Sequence, residues 1–385
     1  MRHHRFAAVG CAVLVAAVTL AGCAPDGSAG STAGSARSAA PSAPASTEEG
    51  PVAPDTRLPE DTLLVTDFGA DTVTFVDAAG RGRAADRGSV RVGAAPYGIA
   101  LGADGTAWVS TGEGVAVVDT RTRRRVALIP YRTRTGPVTT GEYRGGGMGI
   151  ALSPDGAHVY VGVNVPGGDG TLEVIDTRTR AVMRSVPVGR RPFDVDVSPD
   201  GRQVYATGHD SYDVTVVDTG TWTGHRIEVA PYGTEGGLGS WLKPHYAVVR
   251  PSDGALLLPF EGERLAVADP RTGRVRVERM TANTHQHGVT VSGDGTLFVV
   301  GTGPIDPSRD DGPSLTVRSP SGHERIIPLD GPHEDVVVSA DGCTAYVSGG
   351  FTRDGYWNGL SAVDLGTGRI TRLAVGHRPL GMVVL

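Results

Sequence analysis

Pro192-Phe193-Asp194-Val195-Asp196-Val197-Ser198-Pro199-Asp200-Gly201, then Gln203-Val204-Tyr205-Ala206 and Val214-Thr215-Val216-Val217-Asp218, is the stretch that decides the fold. An apolar run enters a tight Asp-Gly turn and a second run leaves it, which is the pattern of paired strands. A third run ends in an apolar pair plus aspartate, whose side chain can close the next turn. The unit recurs. Asp-Gly stands at Asp104-Gly105, Asp155-Gly156, Asp200-Gly201, Asp253-Gly254, Asp294-Gly295 and Asp341-Gly342, at intervals of 51, 45, 53, 41 and 47 residues.

Each unit supplies four short strands, A to D. Strand A precedes the Asp-Gly turn and strand B follows it, as in Val159-Tyr160-Val161-Gly162 and Ala345-Tyr346-Val347-Ser348. Strand C ends at Val76-Asp77, Val118-Asp119, Ile175-Asp176, Val217-Asp218, Ala268-Asp269 and Val363-Asp364, and the sixth unit departs with Val317-Arg318. Four-stranded units at this period predict propeller blades. Strand A is expected to begin near Tyr97, Met148, Phe193, His245, His287, His333 and Leu380, which makes seven. The seventh ends the chain, so Thr62 to Thr66, Thr72 to Asp77 and Ser89 to Val92 must complete its blade. The expected fold is all-β: a seven-bladed β-propeller over 61–385, closed by both termini, with no exposed sheet edge at the joint. Ser153-Pro154-Asp155-Gly156 followed by Val159-Tyr160-Val161 resembles the YVTN (YncE-like) repeat of seven-bladed propellers. That resemblance implies the fold and leaves function open, because the repeat serves enzymes, binding proteins and surface antigens.

Composition agrees. With 56 glycines and 26 prolines in 385 residues, helical bundles are excluded, while 39% hydrophobic residues suffice for a core. A net charge of −6 and a pI near 6.0 argue against a nucleic-acid partner. Lys243 is the only lysine.

The first residues read as export machinery. Arg2 and Arg5 precede an apolar run from Phe6 to Leu20, too short to span a bilayer. Leu20-Ala21-Gly22-Cys23 resembles the bacterial lipobox, which implies a signal peptide over 1–22, lipidation of Cys23 and a membrane anchor on the extracytoplasmic face. Residues 23–60 are small and polar, and read as a disordered tether. Cys343 then remains without a partner for an intrachain disulfide.

The A–B and C–D turns are short. The insertions Pro130 to Gly147, Ala230 to Lys243, Gly301 to Ser314 and Gly349 to Gly359 all fall in D–A or B–C connections, on the opposite face. Long loops on a rigid scaffold concentrate function, so that face is the expected working face. His245, His287 and His333, in three consecutive units, read as one repeat position at the channel mouth. Three imidazoles suit zinc or copper with an open position; alternatively they hydrogen-bond around a wet channel. The position resembles the histidine ring of the propeller domain of nitrous oxide reductase, which implies His245, His287 and His333 as metal ligands. His285, Glu334, Asp335, Lys243, Trp241 and His377 are nearby candidates for the site, and Tyr356-Trp357 for a cap over it. His158, His209, His225 and His323 read as surface or strand residues. No phosphate loop or nucleophile elbow appears. Three functions remain: a lipoprotein that binds a metal, small molecule or protein at this mouth; a metal-assisted lyase or hydrolase resembling streptogramin lyases or lactonases; and a metal-free interaction platform. A monomer is expected.

Overall fold

A computed structural model describes residues 62–78, 86–141, 143–230, 243–260, 264–282, 286–303, 308, 311–350 and 356–385. The leader 1–22, Cys23, the tether 23–60, Trp241 and His285 lie outside the described residues. Within them, twenty-eight strands form seven four-stranded antiparallel sheets, six in simple sequence order and one that joins the last strand to the first three. The innermost strands are β4 (Ile99–Leu101), β8 (Gly146–Leu152), β12 (Pro192–Val197), β16 (Val248–Val249), β20 (Gln286–Val291), β24 (Val336–Val338) and β28 (Pro379–Val384). Each touches the next around the circle, and β28 touches β4, so the ring is closed. The expected seven-bladed propeller is the observed fold.

Closure is made by both ends of the described chain. Strand β28 pairs antiparallel with β1 (Thr62–Asp67), with Leu63 opposite Val384 and Leu64 opposite Val383. Strands β2 (Thr72–Asp77) and β3 (Asp86–Arg91) complete that sheet.

The core lies between blades. Tyr205, Val214 and Val216 of the third blade pack on Leu256, Leu258 and Phe260 of the fourth. Tyr160, Leu172 and Val174 of the second meet Val195 and Val204 of the third. Each fully buried side chain of this kind contributes about 1.5–3 kcal/mol. Outermost strands such as β3 expose almost every residue, because only one face has a neighbour. The aspartates that end the C strands close their turns as expected: Asp119, Asp176, Asp218 and Asp364 each accept a backbone N–H three residues on.

Around the axis the innermost strands approach closely at one position per strand, which is Gly98, Gly149, Asp194, Ala247, Gly288, Asp335 and Gly381 in the seven blades, so that glycine and aspartate fill all but one. A Cβ on Gly149 would lie 2.4 Å from Asp194 Cα, and one on Gly288 2.6 Å from Asp335 Cα. The aspartates bond to the neighbouring blade. Asp194 Oδ2 accepts Ala247 N–H at 2.8 Å, and Asp335 Oδ2 accepts Met382 N–H at 3.1 Å. Burial pushes Asp335 up to about 7 and Asp194 up to about 6.

These aspartates give stability a defined pH response. A carboxyl raised from its ordinary 3.8 to about 7 holds a proton in the folded state that the unfolded chain has released, so its ionisation opposes folding as pH rises through that window. Asp335→Asn stays neutral but loses one of two backbone bonds, at a cost of about 1 kcal/mol. The unfolding free energy of Asp335→Asn relative to wild type is expected to climb between pH 4 and 7 and then level off. Denaturant titrations across pH check this, and a flat difference refutes it.

Candidate functional site

Strand irregularities set the geometry of the mouth. Pairing of strand A with strand B breaks between Gly147 and Ile150, Pro192 and Asp194, and Gln286 and Val289. The β1–β28 pair breaks at the same place, between Val65 and Asp67. A bulge re-aims the side chain that it carries.

Register then corrects the alignment of the histidines. The equivalent A–B pairs are Ile99↔Val109, Ile150↔Val161, Val195↔Ala206, Val248↔Leu257, Val289↔Val299, Val336↔Val347 and Met382↔Val65. Two residues before each stand Tyr97, Met148, Phe193, Tyr246, His287, Glu334 and Leu380. Only His287 of the three histidines belongs to this ring. His245 and His333 stand one residue earlier, in line with Pro96, Pro192 and Pro379.

The ring has two halves. Tyr97, Met148, Phe193 and Leu380 join Phe68 and Ala95 in one apolar cluster. Tyr246, His287 and Glu334 form the polar half. Glu334 Oε1 accepts the Tyr246 hydroxyl at 3.1 Å and pairs with His287 Nδ1 at 3.1 Å. The Tyr97 and Tyr246 hydroxyls, 3.3 Å apart, bridge the halves. Glu334 and His287 are each 3% exposed, so their pairing is screened very little. Burial, with Tyr97 and Glu334 alongside, pushes the Tyr246 phenol well above its usual 10 and keeps it a hydrogen-bond donor.

Imidazoles extend the site. His245 stacks on His287 with ring centres 4.1 Å apart and planes 22° from parallel. His209 lies 4.8 Å from His245 and packs edge-on against Phe193 at 4.6 Å. His209 was expected at the surface or in a strand interior; it is instead buried, in the B–C connection after β13 (Gln203–Gly208). Burial lowers it to about 4 although Asp210 pulls the other way. Burial raises Asp210, but His209, Arg191 and Lys243 together bring it below the ordinary carboxylate range. Lys243 Nζ reaches Asp210 Oδ1 at 3.1 Å, and Arg191 reaches Asp210 Oδ2 at 2.9 Å.

The remaining candidates have structural settings. His333 is fully buried; its Nδ1 bonds Gly331 O at 2.6 Å, its Nε2 bonds Ser361 Oγ at 3.0 Å, and Trp357 packs against it. Both nitrogens are therefore committed to the protein. With His245 and His287 stacked nearly parallel, the three histidines do not present a tripod to one ion. Among the described residues no group of three or more His, Cys, Asp or Glu is arranged to hold a metal. The donor set expected for copper or zinc does not fit such an ion. Asp335 lines the channel below Glu334 and makes the inter-blade bond described above. His377 is exposed and lies against Gly69. Tyr356 is exposed beneath Arg378. Sequence reasoning missed Tyr246 and His209; offsets from each Asp-Gly turn would have found Tyr246.

Of the long connections expected on the working face, the one over 130–147 lies almost wholly within the described residues, whereas 231–242, 304–307, 309–310 and 351–355 lie outside them. The insertion between β7 (Arg124–Pro130) and β8 is pinned by Glu173, whose Oε1 accepts Thr133 N–H at 2.6 Å and the Thr133 hydroxyl at 2.7 Å. On the opposite face a cavity of about 670 Å³ between the first two blades is lined by turn residues such as Asp104, Asp155 and Arg178 and contains no ring residue.

His333 and His287 should therefore separate on mutation. His333→Ala leaves buried partners unsatisfied and should cost about 2–4 kcal/mol of unfolding free energy. Burial lowers His333 from 6.5 to about 4, so the folded state binds fewer protons than the unfolded state in that window. Wild-type stability falls as pH drops through it, and the gap between wild type and His333→Ala should narrow below pH 6.5. A gap that is constant from pH 8 to 5 refutes this role.

No family model and no curated protein matches this sequence. Solved structures do. The hydrazine synthase of Kuenenia stuttgartiensis is 20% identical, with a TM-score of 0.55 over 70% of this chain and 76% of its own. A periplasmic gluconolactonase of Pseudomonas aeruginosa is 16% identical, with a TM-score of 0.59 over 84% of this chain and 99% of its own. A streptogramin B lyase is 13% identical, with a TM-score of 0.55 over 83% and 91%. At these identities the likeness is one of fold: the chain is a seven-bladed β-propeller with relatives in shape among lactonases and lyases.

Proposed function

We propose that this protein is an exported, lipid-anchored propeller whose loop-bearing mouth binds a small molecule and performs acid–base chemistry on it, as a lyase or hydrolase. The observation that carries the reading is the buried Glu334 carboxylate receiving both Tyr246 and His287 at the channel mouth. A carboxylate that accepts Nδ1–H holds imidazole in the tautomer whose basic nitrogen is Nε2, and it stabilises the imidazolium formed on proton uptake. His287 is the proposed general base. Tyr246, whose hydroxyl is donated to Glu334 and whose proton burial keeps in place, is the proposed positioning residue that holds this carboxylate against His287. The apolar half of the ring, Met148, Phe193 and Leu380, offers a dry wall against which a substrate can be held. A gluconolactonase and a lyase on the same scaffold support the reading by analogy of fold alone. No step is drawn through copper or zinc.

Turnover by the mature chain on a panel of lactones and cyclic esters tests this. Activity on at least one member is expected, with kcat reduced about 10²–10⁴-fold in His287→Gln and Glu334→Gln. If the wild type turns over no panel member, or if His287→Gln keeps full kcat, the enzymatic reading fails and a binding role remains.

Anchoring rests on Leu20-Ala21-Gly22-Cys23 followed by the small polar tether. Wild-type protein should incorporate a clickable palmitate analogue and sediment with membranes. Cys23→Ser should do neither, and a Cys23→Ser protein that still labels and sediments would rule the anchor out.

A further inference from the structure

We propose that the mouth selects small organic monocarboxylates, held by Arg191 and Lys243 at the third and fourth blades. This rests on the reading of the mouth as the substrate site and names the class of substrate. Two permanent cations there share one carboxylate. Asp210 Oδ2 takes Arg191 at 2.9 Å, and Asp210 Oδ1 takes both Lys243 at 3.1 Å and His209 Nδ1 at 2.8 Å. Asp210 takes three donors on its two oxygens, whereas each cation spends only part of its N–H groups on it. An ammonium has three N–H groups and a guanidinium five. Arg191 Nε is buried and has no hydrogen-bond partner.

The guanidinium is held for recognition rather than left to swing. Its carbon lies 3.6 Å from the centre of the Tyr143 ring, which fixes the plane of the fork and leaves its edge for a carboxylate. Arg191 also adopts a left-handed backbone, φ 53°, in the turn that leads into β12. That conformation is uncommon for a side chain of this size.

A third cation adds to the local field. Arg144 is 2% exposed and donates to backbone carbonyls: Ala95 O at 3.0 and 2.6 Å and Gly145 O at 3.1 Å. Among the described residues no carboxylate pairs with it. Burial lowers Arg144 only to about 10, so it stays charged at neutral pH. Arg191 and Lys243 share the single carboxylate of Asp210, which leaves one positive charge in excess at that point of the mouth, on a chain that carries −6 overall. Such a local positive charge steers anions to it. An excess of one charge suits a monocarboxylate better than a phosphate dianion. From Asp210 the path runs through His209 to His245 and His287, over ring spacings of 4.8 and 4.1 Å, so a carboxylate placed at the cations leaves the rest of the molecule along the catalytic imidazoles.

Benzoate and its uncharged isostere benzamide are suitable probes, followed by NMR titration of the full mature chain. Benzoate should bind at least about 10-fold tighter than benzamide, consistent with a charge-assisted bond, and should weaken as sodium chloride is added. The preference should fall to near unity in Arg191→Gln and by several-fold in Lys243→Gln, which is half-exposed and serves if the first variant does not fold. His287→Gln should keep the preference, so loss of catalysis and loss of anion selection are read separately. Equal binding of the two probes, an undiminished preference in Lys243→Gln, or tighter binding of inorganic phosphate than of benzoate would each overturn the proposal.

Discussion

Seven strands crowded around one axis are the constraint on which the structure depends. At the point of closest approach a side chain is absent, as at Gly149 and Gly288, small, as at Ala247, or spans the gap to a neighbouring backbone, as Asp194 and Asp335 do. Close packing of this kind makes each blade a wall for the next, and the apolar clusters between blades follow from it. The same crowding places carboxyl groups where water is scarce, which is why burial raises Asp194 and Asp335.

Four of the innermost strands break register as they enter the ring, and in every blade one residue at the same register position stands at the mouth. What those residues are then decides the chemistry. In the first, second, third and seventh blades they are Tyr97, Met148, Phe193 and Leu380, which pack together. In the fourth, fifth and sixth they are Tyr246, His287 and Glu334, which hydrogen-bond together. An asymmetric site thus arises on a nearly symmetric scaffold by changing three side chains at one register position. The loops contribute the second layer: Asp210, Lys243, Arg191 and Tyr143 all come from connections on the same face.

Much of this was legible in the chain. The Asp-Gly spacing predicted seven blades, and the split of strands between the termini predicted the closure seen between β28 and β1. The histidine alignment was displaced by one residue, because Pro244-His245 and Pro332-His333 mimic strand starts such as Pro96-Tyr97 and Pro192-Phe193. The register of β16 and β24, which start at Val248 and Val336, with their B strands places Tyr246 and Glu334 in the ring instead. His209 was overlooked for a related reason: it lies in a B–C connection, where period and alternation carry no information, and only ring closure brings it to His245.

What the sequence determined by itself is the local pattern: turn chemistry at each Asp-Gly, alternation along each strand, and a period that repeats seven times. These depend on neighbours a few residues apart, so they can be read in order. What only the tertiary structure decided is which side chains meet at the axis. Tyr97, Tyr246, His287 and Glu334 come from four different blades, and their hydrogen bonds join residues as far apart as 149 positions. Such contacts exist only once the ring has closed and the register of every innermost strand is set. A one-residue shift, silent in composition and period, sends His333 to Gly331 and Ser361 and leaves Glu334 to receive His287.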